Sequence, residues 1–285
     1  MPDQAATAAG PGPARRRGPA SLPGMSPLRT ERRDDGVVVL TLDVPDRRNA
    51  MTDELTAAWA AAIPALRVDP DIRCVVVTGA GGAFSSGGDL SWIEAGGDLD
   101  VPALRARMLA FYRAWLSVRQ LEVPTVAALN GAAVGAGLAL ALACDLRYSV
   151  PDARLSVPFT SLGLHAGMAT TWSLPEVAGL AAAREMLLTG RVVTGAEAVG
   201  LGLVNRTFPA ETFLADVLAV AGTVAARAPL PTRLTKIALA SGGHASFEAA
   251  LQWEGLAQPV TMVTHDLREG LRAQRERRQA RFTGR

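Results

Sequence analysis

Two stretches of this 285-residue chain pass from a charge-free run directly into glycine: CVVVTGAGGAFSSGGDL, residues 74–90, and TVAALNGAAVGAGLALALAC, residues 125–144. A strand with one face in water alternates apolar and polar side chains. CVVV and TVAAL do not alternate, so a strand built from either must be covered on both faces. Helices on both sides of a mainly parallel sheet provide that cover. This sets the fold class: the chain reads as α/β.

The flanking sequence extends the pattern. VVVLTLDV, from Val37, is a further strand. Thr52 stands where an N-cap belongs, and Leu55, Trp59 and Ile63 follow on one helical face. A helix is expected over 102–119, a strand over 123–128, a helix entered near Gly135, and strands at 145–150 and 154–158. The repeat is strand, strand, helix rather than strict alternation. From about residue 210 the pattern is helical and ends in THDLREGLRAQRERRQARF. That charged helix has few apolar residues and is expected to pack across the core or onto another subunit. Residues 1–30 show no periodicity and suggest disorder, with Met25 a possible alternative start. The expected organisation is a disordered extension over 1–32, a core domain over 33–209 and a C-terminal helical region over 210–285.

Charge excludes some functions. Lys and Arg total 29 against 27 Asp and Glu, a net +2, so no global field draws the chain to nucleic acid. Lys236, the sole lysine, reads as coding bias rather than function. Cys74 and Cys144 sit in apolar runs and read as core thiols, with neither a disulfide nor a metal site expected. The longest apolar run, 131–144, is too short and glycine-rich for a membrane span. No apolar segment follows the early RRR, so a secretory signal is not indicated and a cytoplasmic location is expected.

The glycine loops at 79–90 and 129–137 carry the functional signal. Each sets backbone N–H groups at the carboxyl end of a parallel strand, where open α/β sheets bind ligands. Small residues admit close approach, and the helix entered at 135–137 favours negative charge at its free N–H groups. Two N–H groups from separate loops aimed at one point form an oxyanion hole, in which one donor is worth about 3–4 kcal/mol in the transition state. The bland alternative is that these glycines only make tight turns. A phosphate loop is not supported, since neither a GK[ST] sequence nor an in-register GxGxxG is present.

Taken together, PDRRNAM, GAFSSGGDL, PTVAALNGAAVGAGLALALACDLRYS, LTGRVVTGAEAVGLGLVN and the DLREG…RF tail resemble the enoyl-CoA hydratase/isomerase (crotonase) superfamily. Their order and spacing match from about residue 33 to the end. The resemblance implies a crotonase-like spiral of strand–strand–helix units with a C-terminal helical trimerisation region. It also implies a homotrimer or hexamer and an acyl-CoA thioester as ligand. Coenzyme A then enters as part of the substrate, with no separate cofactor and no nucleic-acid or membrane partner. By position, the oxyanion-hole donors fall on Gly88 and Ala136, where a thioester carbonyl is polarised toward an enolate. Ala50 matches the path of the coenzyme. Arg47 and Arg48 either meet its phosphates or form a solvated turn. Ser85, Ser86 and Gly87 precede Gly88, and a serine hydroxyl there either contacts substrate or braces the loop. Asp89 is a further candidate contact, expected mainly to hold the loop.

The departures are equally informative. The two glutamates with which hydratases of this family add water correspond to Ala139 and to Phe159, after Pro158. Neither replacement titrates or orients a water. The position where related dehalogenases and isomerases carry an aspartate is Gly167. His165, two residues earlier, is either a general acid–base or a histidine satisfied by its own loop. Glu94 faces either pocket or solvent, Asp145 reads as structural, Met168 and Trp172 read as core or pocket lining, and His244 and His265 receive no role. Two functions stand. One is an acyl-CoA enzyme working through an oxyanion-stabilised enolate: an isomerase, a C–C hydrolase, a decarboxylase or a weak hydratase. The other is a catalytically silent acyl-CoA binder or assembly subunit.

Overall fold

The computed structural model describes residues 26–95, 99–240 and 246–285. The expectations for residues 1–25, including Met25, and for His244 lie outside the described residues.

The described residues open with β1 (Leu28–Arg32) and β2 (Val37–Leu42), followed by helix α1 (Asp53–Arg67). Thr52 caps α1 as its sequence suggests, its Oγ1 accepting from Leu55 N at 3.2 Å. Leu55, Trp59 and Ile63 are all buried. The first strand pair corrects the expected boundary, because Leu28–Arg32 lies inside the segment predicted to be disordered. β1 pairs antiparallel with β2, from Leu28↔Leu42 to Arg32↔Val38. Only Leu28 of this strand is buried. An edge strand held by its ladder, by Arg29 Nε on Asp43 at 2.7 Å and by Arg32 on Asp69 at 2.6 Å has no hydrophobic pattern to read.

Three turns of strand–strand–helix follow. β3 (Cys74–Gly79) and β4 (Ala83–Ser85) lead to α2 (Leu90–Glu94) and α3 (Val101–Leu116). β5 (Thr125–Leu129) and β6 (Ala132–Val134) lead to α4 (Ala136–Ala143). β7 (Leu146–Ser149) and β8 (Arg154–Ser156) lead to α5 (Thr170–Thr189). The helix expected to reach residue 119 ends at Leu116 and tightens into a 3-10 turn, Ser117–Gln120. The remaining elements are β9 (Val193–Thr194), α6 (Gly195–Gly200), β10 (Arg206–Thr207), α7 (Phe213–Ala225), α8 (Pro229–Ala240), α9 (Phe247–Met262) and α10 (His265–Glu276).

In each turn the first strand joins one sheet and the second another. The larger sheet runs β1-β2-β3-β5-β7-β10 and the smaller β4-β6-β8-β9. All pairings are parallel except β1–β2 and β8–β9. Between β3 and β4, and again between β5 and β6, the chain crosses from sheet to sheet through glycine. Those crossings set the geometry of the site. β3 and α4 are buried along their whole length, as charge-free runs require.

Cys74 and Cys144 are buried free thiols, and burial pushes each up to about 12, far from thiolate chemistry. No single helix among the described residues is long and apolar enough to cross a membrane. Lys236, which sequence attributes to coding bias, latches α8 onto the core. Its Nζ lies 2.8 Å from Asp145 Oδ2 and donates to the Val123 carbonyl at 2.8 Å. Asp145 also accepts from Thr125 N and Oγ1, which bears out its structural reading. After α10 the tail folds back on its own helix. Buried Asp266 accepts from Thr283 N and Gly284 N, both at 2.8 Å.

Candidate active site

Two asparagines fix the first glycine loop. Asn49, fully buried at φ 55°, accepts from Val44 N and donates through Nδ2 to the carbonyls of Ala80 and Ala83. Asn130 accepts from Gly79 N and donates to the Gly81 carbonyl at 2.9 Å. Each ties the loop to a different neighbouring segment, so neither end of it can drift. Ser85 completes the brace. Its hydroxyl donates to the Asn49 carbonyl at 2.8 Å and accepts from Gly87 N at 3.1 Å. Ser85 is fully buried, so bracing rather than substrate contact is its role.

The loop then closes on the start of α4. Gly87 adopts φ 91°, and a Cβ there would strike the Val134 carbonyl and come within 3.1 Å of Ala136 N. Glycine is required for this approach, and the approach brings Gly88 and Ala136 to one place. Met51 N donates to the Gly87 carbonyl at 2.8 Å, which fixes the peptide leading into Gly88. Ala136 is the first residue of α4, and Gly135, at φ 54° and ψ −115°, turns the chain into it. Among the described residues neither Gly88 N nor Ala136 N donates to another group. Such a pair of free N–H groups, one backed by a helix dipole, suits an oxygen that gains negative charge.

The other candidates fall in different places. Asp89 holds the loop: it caps α2 by accepting from Ser91 N and Oγ, and pairs with Arg47 Nη2 at 2.7 Å. Burial opposes its charge, but the Ser91 bonds and Arg47 keep the carboxyl below its usual value. Arg47 is thereby engaged, while Arg48 is exposed and its guanidinium is bonded to nothing among the described residues. Ser86 bonds to the Arg47 and Arg48 carbonyls, through Oγ at 3.3 Å and N at 2.8 Å respectively. Ala50 is buried between the Arg47–Asn49 turn and α1. Phe159 places its ring 3.9 Å from where a Cβ on Gly135 would lie, and Ala139 is buried one turn into α4.

His165 is exposed, with Nδ1 donating to the carbonyl of neighbouring Ala166 at 2.7 Å. Glu94 is exposed on α2. Met168 is buried, in keeping with its reading as core, but Trp172 is 52% exposed. It sits beneath the Arg119 guanidinium at 5.1 Å, outside the core, and lines a cavity between α4, α5 and α8.

Sequence reasoning missed two side chains that pack against these loops. Ile93 Cδ1 lies 3.9 Å from a Cβ built on Gly88, and a Cβ on Gly167 would lie 2.5 Å from the hydroxyl oxygen of Tyr112. Tyr112 belongs to an aromatic run, Trp92–Phe111 at 5.2 Å and Phe111–Tyr112 at 6.2 Å, that joins α2 to α3. The only signal in sequence was FYRAW, three aromatics within five residues of a helix.

Comparison with known proteins places this geometry in a family. The enoyl-CoA hydratase/isomerase family model matches residues 32–285. The chain belongs to the enoyl-CoA hydratase/isomerase family. It is 43% identical over 217 residues to the probable enoyl-CoA hydratase EchA14 of Mycobacterium tuberculosis, covering 75% of this chain and 83% of that one. It is 29% identical over 253 residues to a crotonyl-CoA hydratase of Syntrophomonas wolfei, covering 88% and 95%. A crystal structure of an enoyl-CoA hydratase from Bacillus anthracis superposes with a TM-score of 0.85 at 29% identity, covering 90% of this chain and 99% of that one. The two-sheet spiral is therefore the crotonase fold. The chain is an acyl-CoA-processing enzyme of this family.

Proposed function

We propose that the enzyme binds the thioester carbonyl of an acyl-CoA between Gly88 N and Ala136 N and works through the enolate that forms there. It does so without the paired-glutamate addition of water. One observation carries this reading. Gly87 packs so closely on Val134 and Ala136 that Gly88 N and Ala136 N, on separate loops and unengaged among the described residues, are brought near one another. Arg48, exposed beside the loop, would meet the coenzyme phosphates, and Ala50, Ser86 and Gly87 would line the path leading to the carbonyl. Ala139 and Phe159 hold no proton to exchange and no lone pair to orient a water, so hydration loses both of its acid–base groups. Each such group contributes roughly 10²–10⁴-fold.

The test is a panel of enoyl-, 3-oxo- and malonyl-type CoA esters incubated with the purified chain, with products followed by mass spectrometry. Turnover of at least one ester, with crotonyl-CoA hydration orders of magnitude below that of a two-glutamate hydratase, supports the proposal. Binding of several esters with turnover of none identifies a silent acyl-CoA binder instead.

A further inference from the structure

A cavity of about 810 Å³ lies between α4, α5 and α8, and none of its lining residues belongs to either glycine loop. It meets α4 at the last turn, through Leu142 and Ala143, whereas Ala136 opens the same helix. At 1.5 Å per residue, about 10 Å of helix separates the two places. The volume falls within the roughly 300–1,000 Å³ of small-molecule sites. Two apolar side chains that solvent reaches, Trp172 and Leu239, line it together with buried Leu142 and half-buried Val177.

Charge sets this cavity apart from a plain apolar groove. Arg119, Arg147, Arg227 and Lys236 line it, against Asp145 and Glu176. Lys236 and Asp145 answer one another at 2.8 Å. Three guanidinium groups then face the one remaining carboxylate. Arg147 is the most constrained of them, at 7% exposure. Its Nε and Nη1 donate to the Leu203 and Cys144 carbonyls at 3.0 and 2.7 Å, and it forms no ion pair among the described residues. A cation held this deep without a counter-ion is costly, and an anion in the cavity offsets that cost.

We propose that this cavity is a second ligand site, and that it takes an amphipathic carboxylate. The apolar body lies against Trp172, Leu142 and Leu239, and the carboxylate lies among the guanidinium groups. Guanidinium forks match the two oxygens of a carboxylate, which favours this anion over a point charge. A second copy of the chain suits the cavity less well. The exposed apolar side chains of α9, Leu256 and Val260, would strip water from the arginines and give them no partner. The inference stands apart from the oxyanion-hole reading, since the two sites share no residue.

The experiment titrates decanoate into the full chain, followed by calorimetry, with decanol as the uncharged control. Arg227→Gln and Leu239→Glu, both at exposed positions, are measured alongside. Acetoacetyl-CoA is titrated into the protein with and without saturating decanoate. The expected result is saturable binding of decanoate, with decanol and the Arg227→Gln protein each about tenfold weaker. Leu239→Glu, which sets a carboxylate beside the ligand, should abolish binding while the circular dichroism spectrum is kept. The affinity for acetoacetyl-CoA should stay within about twofold whether or not decanoate is bound. Equal binding of decanol overturns the anion site. Competition between decanoate and acetoacetyl-CoA overturns it too, because the acid then occupies the acyl path. Absence of decanoate binding to the wild type overturns it as well, and leaves a second chain as the occupant.

Discussion

In the proposed oxyanion hole Ala136 would act through an N–H rather than a side chain, so the informative substitution is one that deletes the N–H and keeps the helix. Proline suits the first position of a helix, where its missing donor breaks no intrahelical bond. Gly135, at φ 54° and ψ −115°, holds the mirror image of the extended backbone that precedes proline, which a glycine can keep. Ala136→Pro is expected to retain its melting temperature within a few degrees while lowering kcat on its best substrate by about 10²–10³-fold. Unchanged kcat in a folded variant would remove Ala136 from the site. The loops that carry Gly88 and Ala136 were legible in sequence, because CVVVTG and LNGAAVGAG both announce a strand passing into a loop. Tyr112 was not legible. Its packing depends on α3 meeting Gly167 across 55 residues of chain, a contact that no local pattern encodes. Asn49 and Asn130 were invisible for the same reason, since each looks like an ordinary turn residue until its carbonyl partners are placed.

At the scale of elements, two joints show how the C-terminal region is fastened. The first is Lys236 on α8, whose ammonium meets Asp145 and the Val123 carbonyl while its side chain is only 10% exposed. Lys236→Met keeps the aliphatic stem and leaves both acceptors short of a donor, at a cost of about 1–3 kcal/mol. A lower thermal midpoint with an unchanged circular dichroism spectrum is the expected outcome, and an unaltered midpoint would show that α8 docks by apolar contact alone. The second joint is the tail on α10. Arg278, hydrogen-bonded to Glu269, and Arg281 N hold the Glu269 carboxyl down at about 2, well below its unfolded value. A depressed carboxylate stabilises above the unfolded value and loses that contribution as pH falls toward 2. Protection of the 278–285 amides against hydrogen exchange should therefore decline between about pH 4.5 and 2, and Glu269→Gln should show the low-protection state already at pH 7. Charge patterning predicted a helix here but not the fold-back, and the β1 edge strand escaped notice likewise. In both, hydrogen bonds and ion pairs do the work that burial does elsewhere, and hydrophobic periodicity cannot report them.

On the scale of the whole molecule, the spiral buries its own strands completely, yet α9 presents a face that this chain leaves open. Phe247 is 83% exposed, Leu251 49%, Leu256 72% and Val260 52%, and Val263, just past the helix, is 76% exposed. Leu256, Val260 and Val263 follow one another at spacings of four and three, on the side of the helix opposite Phe247 and Leu251, and form an apolar patch of the kind a single chain rarely leaves in water. The resemblance that runs through residue 285 implies a trimerisation region over 210–285, and a second copy of the chain is the occupant this patch suits. Burial of these three side chains per chain would supply several kcal/mol to association at roughly 1.5–3 kcal/mol each before entropic costs. The wild type is therefore expected to show, in native mass spectrometry at micromolar concentration, three or six times its 29.7 kDa chain mass. Leu256→Asp combined with Val260→Asp should release single chains, because each new carboxylate would have to be buried unpaired at the interface. Leu188→Asp, a 74% exposed site on α5 outside this patch, serves as the control and should leave the mass unchanged. A wild type found only at 29.7 kDa would mean that α9 faces water or some other partner.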